Sequence, residues 1–278
     1  MMYKAIVAIL FSPILFFACS PNNVTVDGSL QRYFDSAGVK GAFGMFDNGH
    51  GHFTICNLTR FSDSFYTPGA TFDILLSLVA IQTGVMKDDS SSISQALDSM
   101  QGIMNAKGPH TLGECFRDTS AYERLGFLEL GTSRLERDSL KKWVDSLQYG
   151  NKNVGPKDTM DIFWEDNQLK INCDQQLGLL KKLYFNQLPF FGRTQEIVCR
   201  MMPVESNSVY RLSYKTAQGQ MEDGHAVGWV MGWVEENKHP YFFVVNLESA
   251  DSTKDLRRTG LEIAKKILQG EGFFEGKK

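Results

Sequence analysis

The sequence lacks an excess of positive charge and is poor in histidine. Its 278 residues include 29 Lys and Arg against 32 Asp and Glu, which gives a formal net charge of −3. Without surplus cations the chain cannot neutralise a phosphate backbone, so nucleic acid is not expected as a partner. The 5 histidines (His50, His52, His110, His225 and His239) are scattered in polar or turn contexts, so we predict neither a metal site nor another cofactor.

Long hydrophobic runs are also lacking, except at the N-terminus. There Lys4 is followed by an apolar run, Ala5 to Phe17, that is too short for a membrane span and has the length of a secretory signal core. The run ends in Ala18-Cys19 and turns polar, which resembles a bacterial lipobox, although an ordinary signal peptide is the alternative. We predict a signal peptide at residues 1–18, lipidation of Cys19, a polar tether over 19–30, and a lipid-anchored location at the bacterial cell envelope, on a periplasmic or outer-membrane face.

The other four cysteines, Cys56, Cys115, Cys173 and Cys199, lack the close spacing and neighbouring histidines that zinc ligation requires. Buried free thiols are the favoured interpretation, with disulfides as the alternative in an oxidising compartment.

The remaining sequence shows no linker, repeat or heptad run that would separate a second module, so residues 31–278 are predicted to form one domain. Residues 42–46 and 52–57, joined by the turn-forming Asp47-Asn48-Gly49-His50-Gly51, predict a β-hairpin. Residues 71–83 are apolar around most of a helix surface, and Gly84 is placed to end that buried helix.

Amphipathic helices are predicted around Leu140–Leu147 and Leu177–Tyr184. The last third is richer in aromatic and β-branched residues, and it predicts an antiparallel meander of three strands, 209–216, 226–235 and 241–248. Ser252 is a plausible N-cap for a final helix that packs against this sheet. Strands at both ends of the chain with helices between them indicate an α+β fold.

Several segments, in a fixed order along nearly the whole chain, resemble the class D β-lactamases and the related penicillin-binding proteins. The segment Pro68-Gly69-Ala70-Thr71-Phe72-Asp73-Ile74 is similar to the Pro-x-Ser-Thr-Phe-Lys-Ile segment that opens the family's catalytic helix. The other matches are Tyr149-Gly150-Asn151, Phe163-Trp164, Lys215-Thr216-Ala217 where the family has Lys-Thr-Gly, and Val227-Gly228-Trp229. The resemblance implies an antiparallel sheet flanked by a helical region.

The departures from the family pattern affect the two positions that carry out the family's chemistry. Ala70 occupies the position of the nucleophilic serine, and a methyl group cannot attack a carbonyl. Asp73 occupies the position of the lysine that the family uses in carbamylated form as general base, and a carboxylate lacks its reach and its donors. Thr71 is rotated about 100° around the helix from position 70 and is expected to face the core or a neighbouring strand. No catalytic residue is therefore assigned.

The resemblance also implies a binding cleft. Its predicted members are Ser120, as the nearest match to the family's second serine motif, with Tyr149, Asn151, Trp164, Lys215, Thr216 and Ala217. Two alternatives stay open at this point. Lys215 either retains an anion site or forms a buried ion pair with Asp73, and Tyr149 and Trp164 are either ligand contacts or packing residues.

Two functions are compatible with these features. The first is a pseudoenzyme at the envelope that binds a β-lactam, a peptidoglycan-like ligand or an unidentified protein partner without acylation. The alternative is a divergent hydrolase, in which Asp73 activates water for weak β-lactam hydrolysis or for another hydrolytic reaction.

Overall fold

The computed structural model describes residues 23–93, 111–117, 121–156 and 162–278, with the side chains of 121–124 left aside. Cys19, Ser120 and the predicted signal peptide lie outside the described residues. Among the described helices, none combines the length and the apolarity that a membrane span requires.

A single mixed sheet of seven strands organises the fold, with the order β1-β3-β2-β7-β6-β5-β4. The strands are β1 (Val24–Val26), β2 (Lys40–Asp47), β3 (His52–Cys56), β4 (Val204–Ser206), β5 (Tyr210–Gln220), β6 (Ala226–Glu236) and β7 (His239–Ser249). The predicted hairpin is β2–β3 and the predicted meander is β5–β6–β7, both antiparallel. The α+β prediction is confirmed.

Helices cover both faces of this sheet. They are α1 (Gln31–Ser36), α2 (Leu58–Ser62), α3 (Asp73–Gln82), α4 (Leu112–Arg117), α5 (Ala121–Glu129), α6 (Arg137–Ser146), α7 (Cys173–Tyr184), α8 (Gly192–Met201) and α9 (Leu256–Gly270), with 3-10 turns at Gly28–Leu30 and Gly69–Phe72. The sheet has a hydrophobic core on each face, and alternate residues of β7 belong to the two cores. Phe242 and Val244 pack with the helical region, whereas Phe243 and Val245 pack under α1 and α9. This alternation is the period of a strand that is buried on both faces.

Helix α3 is the centre of the helical region. Every residue from Ile74 to Ala80 is buried, so the all-round apolar pattern of this segment is explained by neighbours on every side. Gly84 follows the helix in the left-handed conformation (φ +77°), as its predicted role as a helix stop requires.

Two details of the sequence prediction are corrected. The predicted tether over 19–30 is too long, because Val24–Val26 pairs in parallel with Phe53–Ile55 and Leu30 is buried, so residues 24–30 belong to the folded body. The N-cap of α9 is Asp255, whose carboxylate accepts the Arg258 backbone N–H at 3.2 Å, and Ser252 lies in the preceding turn.

The prediction of free thiols is confirmed. Cys56, Cys115 and Cys173 are buried and Cys199 is half-buried, and none of them forms a disulfide. Burial raises the pKa of Cys56 to about 11 and that of Cys199 to about 12, so both remain protonated at neutral pH.

The assignment of the α9 cap leads to a stability prediction. Asp255→Ala removes the acceptor of the Arg258 N–H and is expected to lower the free energy of unfolding by about 0.5–2 kcal/mol. Ser252→Ala is the matched control and should change it by less than about 0.5 kcal/mol. Urea denaturation followed by tryptophan fluorescence measures both values, and a larger effect at Ser252 would contradict the assignment.

Candidate functional site

The site that corresponds to the family's catalytic centre lies where the turn Gly69–Phe72 and the start of α3 meet strand β5. Three hydrogen bonds to backbone carbonyl groups fix the position of the turn. Gly69 donates its N–H to the carbonyl of Trp164 at 3.0 Å, and Thr67 Oγ1 donates to the same carbonyl at 2.8 Å. Trp229 Nε1 donates to the carbonyl of Thr67 at 2.9 Å. Gly69 has φ +52°, a conformation that suits glycine. The geometry of residues 67–70 is therefore firmly determined.

Ala70 presents only a methyl group at the floor of the site, and it is 9% exposed. The neighbouring hydroxyl cannot replace it. Thr71 Oγ1 donates to the carbonyl of Pro68 at 2.8 Å and accepts from Gln176 Nε2 of α7 at 2.8 Å, and its residue is fully buried. The expectation that Thr71 faces away from the cleft agrees with this geometry.

Asp73 and Lys215 form a buried ion pair across the junction of α3 and β5. Lys215 Nζ lies 3.1 Å from Asp73 Oδ2, and the two side chains are only 2% and 3% exposed, respectively. The ammonium group also donates to the carbonyl of Phe116 at 2.7 Å and lies 4.1 Å from the centre of the Phe116 ring. Of the two alternatives for Lys215, the structure contains the ion pair.

Aromatic side chains pack beneath the turn. Phe72 stacks on Trp164 with ring centres 5.3 Å apart and contacts Phe163 and Tyr149 edge-on at 5.6 and 5.5 Å. Tyr149 and Trp164 are buried, and burial raises the pKa of the Tyr149 hydroxyl. Both residues therefore act as packing residues in this structure, and neither borders the site at Ala70 and Lys215 as an exposed side chain.

The strand that carries Lys215 lies beside the turn. Ala217 is fully buried, and a Cβ placed on Gly69 would lie at an ordinary van der Waals distance, 3.8 Å, from its methyl group. The narrower approach along β5 that alanine in place of glycine is expected to cause stays a prediction.

A pocket of about 300 Å³ opens beside this site, where β4 stops pairing with β5 at Ser213. Thr216 and Lys215 of β5 line it, together with three basic side chains, Arg117, Arg257 and Arg258. Arg258 is largely exposed and pairs with Glu262, whereas Arg257 lies 3.6 Å from Asp255. Of the predicted cleft residues that the structure describes, only Lys215 and Thr216 border this pocket.

Asn151 lies apart from these residues. Its side chain donates to the carbonyl of Gln168 at 2.8 Å and accepts the backbone N–H groups of Asn153 and Lys170, both at 3.1 Å. It therefore stabilises two loops in this structure. Sequence reasoning missed Phe116 and Gln176, whose positions become evident only when α4 and α7 fold onto the site.

The chain matches the family described as the penicillin-binding protein transpeptidase domain over residues 44–269. It is 28% identical to the β-lactamase OXA-20 of Pseudomonas aeruginosa over 242 residues, which cover 86% of this chain and 85% of that protein. It is also 28% identical to OXA-48 of Klebsiella pneumoniae over 215 residues, or 77% of each chain.

Solved structures agree. The class D β-lactamase YbXI from Nostoc superposes with a TM-score of 0.75 at 26% identity, over 89% of this chain and 99% of that one. The C-terminal domain of the BlaR penicillin receptor of Bacillus licheniformis gives a TM-score of 0.76 at 23% identity, over 91% of this chain and 98% of that one. The fold is thus that of class D β-lactamases and penicillin-binding proteins.

The buried ion pair predicts a strongly non-additive mutant cycle. Asp73→Ala and Lys215→Met each leave an uncompensated buried charge and should each cost about 3–5 kcal/mol, whereas the double variant should regain most of the loss. The matched control is the exposed pair Lys170–Glu222, which should contribute less than about 1 kcal/mol. Free energies of unfolding from urea titrations measure these effects, and additive losses at Asp73 and Lys215 would contradict the prediction.

Proposed function

The chain belongs to the family of penicillin-binding protein transpeptidase domains, and from this premise we propose that it is a non-acylating pseudoenzyme that binds its ligand reversibly at the bacterial cell envelope. The observation that carries the proposal is the methyl group of Ala70. An acyl-enzyme needs an oxygen or sulfur nucleophile at this point, and the hydroxyl next along the chain is bonded to Pro68 and Gln176 inside the protein.

The ion pair argues against a replacement chemistry based on Asp73. A general base must reach the proton that it abstracts, directly or through one water. The Asp73 side chain is 3% exposed, and one of its oxygens lies 3.1 Å from Lys215 Nζ. These contacts weigh against the divergent hydrolase, in which the carboxylate activates water.

The basic pocket beside β5 is where the proposed ligand binds. Arg117, Arg257 and Arg258 surround a space of about 300 Å³, which suits a small molecule that carries a carboxylate. A β-lactam or a peptidoglycan-like peptide has such a group. The fold also occurs in a penicillin receptor, which supports a role for this architecture in binding as well as in turnover. A protein partner is a further candidate occupant, of unknown identity.

The N-terminal sequence supports the envelope location. Lipidation at Cys19, after the apolar run that ends at Phe17, would leave Asn23, the first described residue, close to the membrane.

The absence of a nucleophile predicts no covalent reaction with penicillin. Incubation with a fluorescent penicillin and a denaturing gel should show no labelled band, whereas binding followed by fluorescence anisotropy on the undenatured protein should be reversible.

Arg257→Ala combined with Arg258→Ala should weaken that binding at least about tenfold, since each charged hydrogen bond contributes about 1.5–3 kcal/mol. A covalent band from the natural chain would overturn the proposal. No hydrolysis of a chromogenic cephalosporin at high protein concentration is expected either.

Restoring the two family residues tests whether the scaffold is still competent. Ala70→Ser with Asp73→Lys, in bicarbonate buffer that allows the lysine to be carbamylated, should produce a covalent band with fluorescent penicillin. Ala70→Ser alone is the matched control and should remain unlabelled, because Asp73 is held by Lys215. Equal labelling of the single and double variants would show that Asp73 itself serves as base, and no labelling of either would implicate the added methyl group of Ala217 on β5.

A further inference from the structure

The N-terminal end of the folded body emerges at one end of the sheet. Phe53 donates its N–H to the carbonyl of Asn23 at 2.7 Å, and the Asn23 side chain donates to the carbonyl of Gly51 at 3.3 Å. The first described residue is therefore tied to the start of β3 and to the β2–β3 turn. The residues that precede Asn23 therefore join the described part of the chain at this place.

The same end of the sheet gathers two further turns and the C-terminal residues. Glu236 at the end of β6 pairs with His239 at the start of β7, so the β6–β7 turn lies at this end too. Asn237 of that turn donates to the carbonyl of Lys278 at 2.6 Å. The C-terminal end of α7 joins them, because Lys181 Nζ lies 4.0 Å from the Phe46 ring centre and the Phe46 ring contacts Phe53 at 4.6 Å.

These elements form a basic surface, which we call the sheet-end surface. It carries the cations Lys181, Lys182, Arg211, Lys238, Lys277 and Lys278 against the carboxylates Asp47, Glu235, Glu275 and the buried Glu236, and within this set Lys277 pairs with Glu275 and Arg211 with Glu235. A local excess of lysine is notable in a chain whose net charge is −3. It attracts an anionic surface at short range, within about a Debye length of 10 Å.

An aromatic side chain projects from the same place. Phe185, directly after α7, is 37% exposed, and its ring packs on Phe242 at 5.9 Å, where Phe242 is the strand partner of Phe46. A partly exposed aromatic ring next to lysines is the arrangement that residues at a membrane interface adopt, with rings at headgroup level and ammonium groups at the phosphates.

We propose that the sheet-end surface faces an anionic phospholipid bilayer and orients the protein on it. The inference rests on the proposed lipidation of Cys19. From Cys19 to Asn23 the chain spans at most about 14 Å, because each residue extends about 3.3–3.6 Å. This short connection brings the end of the sheet that holds Asn23 close to the membrane, and that end carries more lysines and arginines than carboxylates.

The orientation predicts which parts of the molecule approach lipid. The strand β6 has 11 residues, so the two ends of the sheet lie roughly 33 Å apart. The β5–β6 turn with Asp223 is at the far end, since Gln220 pairs with Ala226 there. The basic ligand pocket borders the middle of β5, at Tyr214, Lys215 and Thr216, between these two ends.

The test uses the full chain, processed in a Gram-negative host and reconstituted into phosphatidylglycerol-containing vesicles with a headgroup-linked quencher. A fluorophore is attached to Asn48→Cys at the sheet-end surface or to Asp223→Cys at the far end, both in a Cys199→Ser background because the other described thiols are buried. We expect the label at position 48 to lose most of its fluorescence and the label at position 223 to change little. Equal quenching of the two labels, or stronger quenching at 223, would overturn the orientation.

Charge variants test whether the lysines contribute to the orientation on anionic vesicles. Lys182→Glu with Lys238→Glu should reduce quenching of the position-48 label, and should do so in phosphatidylglycerol but not in neutral phosphatidylcholine vesicles. Lys40→Glu with Lys152→Glu, both exposed and away from the sheet-end surface, is the matched control and should have no effect. Equal effects of the two double variants would overturn the role of the lysines.

Mass spectrometry of the mature chain separates this inference from the function on which it rests. A lipid on Cys19 together with equal quenching refutes the orientation and leaves the anchored pseudoenzyme intact. A mature chain without lipid on Cys19 refutes the anchor itself, and the orientation with it.

Discussion

The ion pair between Asp73 and Lys215 is the interaction on which the arrangement of the site depends. It joins the first residue of α3 to the middle of β5, and so connects the helical region to the sheet at the place where relatives hold their reactive groups. Two desolvated charges are tolerated there because each is close to the other and because the ammonium group also reaches the carbonyl and the ring of Phe116. Removal of either partner would leave a charge inside the protein, so the pair holds the two layers together.

The departures from the family pattern are physically consistent with one another. A carbamylated lysine is an anion, and Asp73 keeps a negative charge opposite Lys215 on a shorter side chain. The ion pair and Ala217 are both buried in this structure. Of the cleft residues that the motifs predict, Tyr149, Trp164, Lys215 and Ala217 are likewise buried.

Much of the fold could be predicted from sequence because its long elements carry strong patterns. The β2–β3 hairpin has an Asp-Asn-Gly turn between alternating residues, α3 has an apolar surface on all sides, and the last three strands are rich in aromatic and β-branched residues. The strands β1 and β4 were missed because three residues carry too little periodicity, and β1 was instead assigned to the tether. The cap of α9 was misplaced because Ser252 and Asp255 have equal capping chemistry and only the path of the turn distinguishes them.

The candidate site was harder to predict. Motif positions located Ala70, Asp73 and Lys215, but burial depends on which distant segments cover them, and the Phe116 carbonyl and the Gln176 amide carry no sequence signal for that role.

The free thiols have a separate consequence for how this protein matures. Cys56, Cys115 and Cys173 are enclosed by packing, and burial raises the pKa values of Cys56 and Cys199, so the described part of the chain forms its fold without a disulfide between these four cysteines.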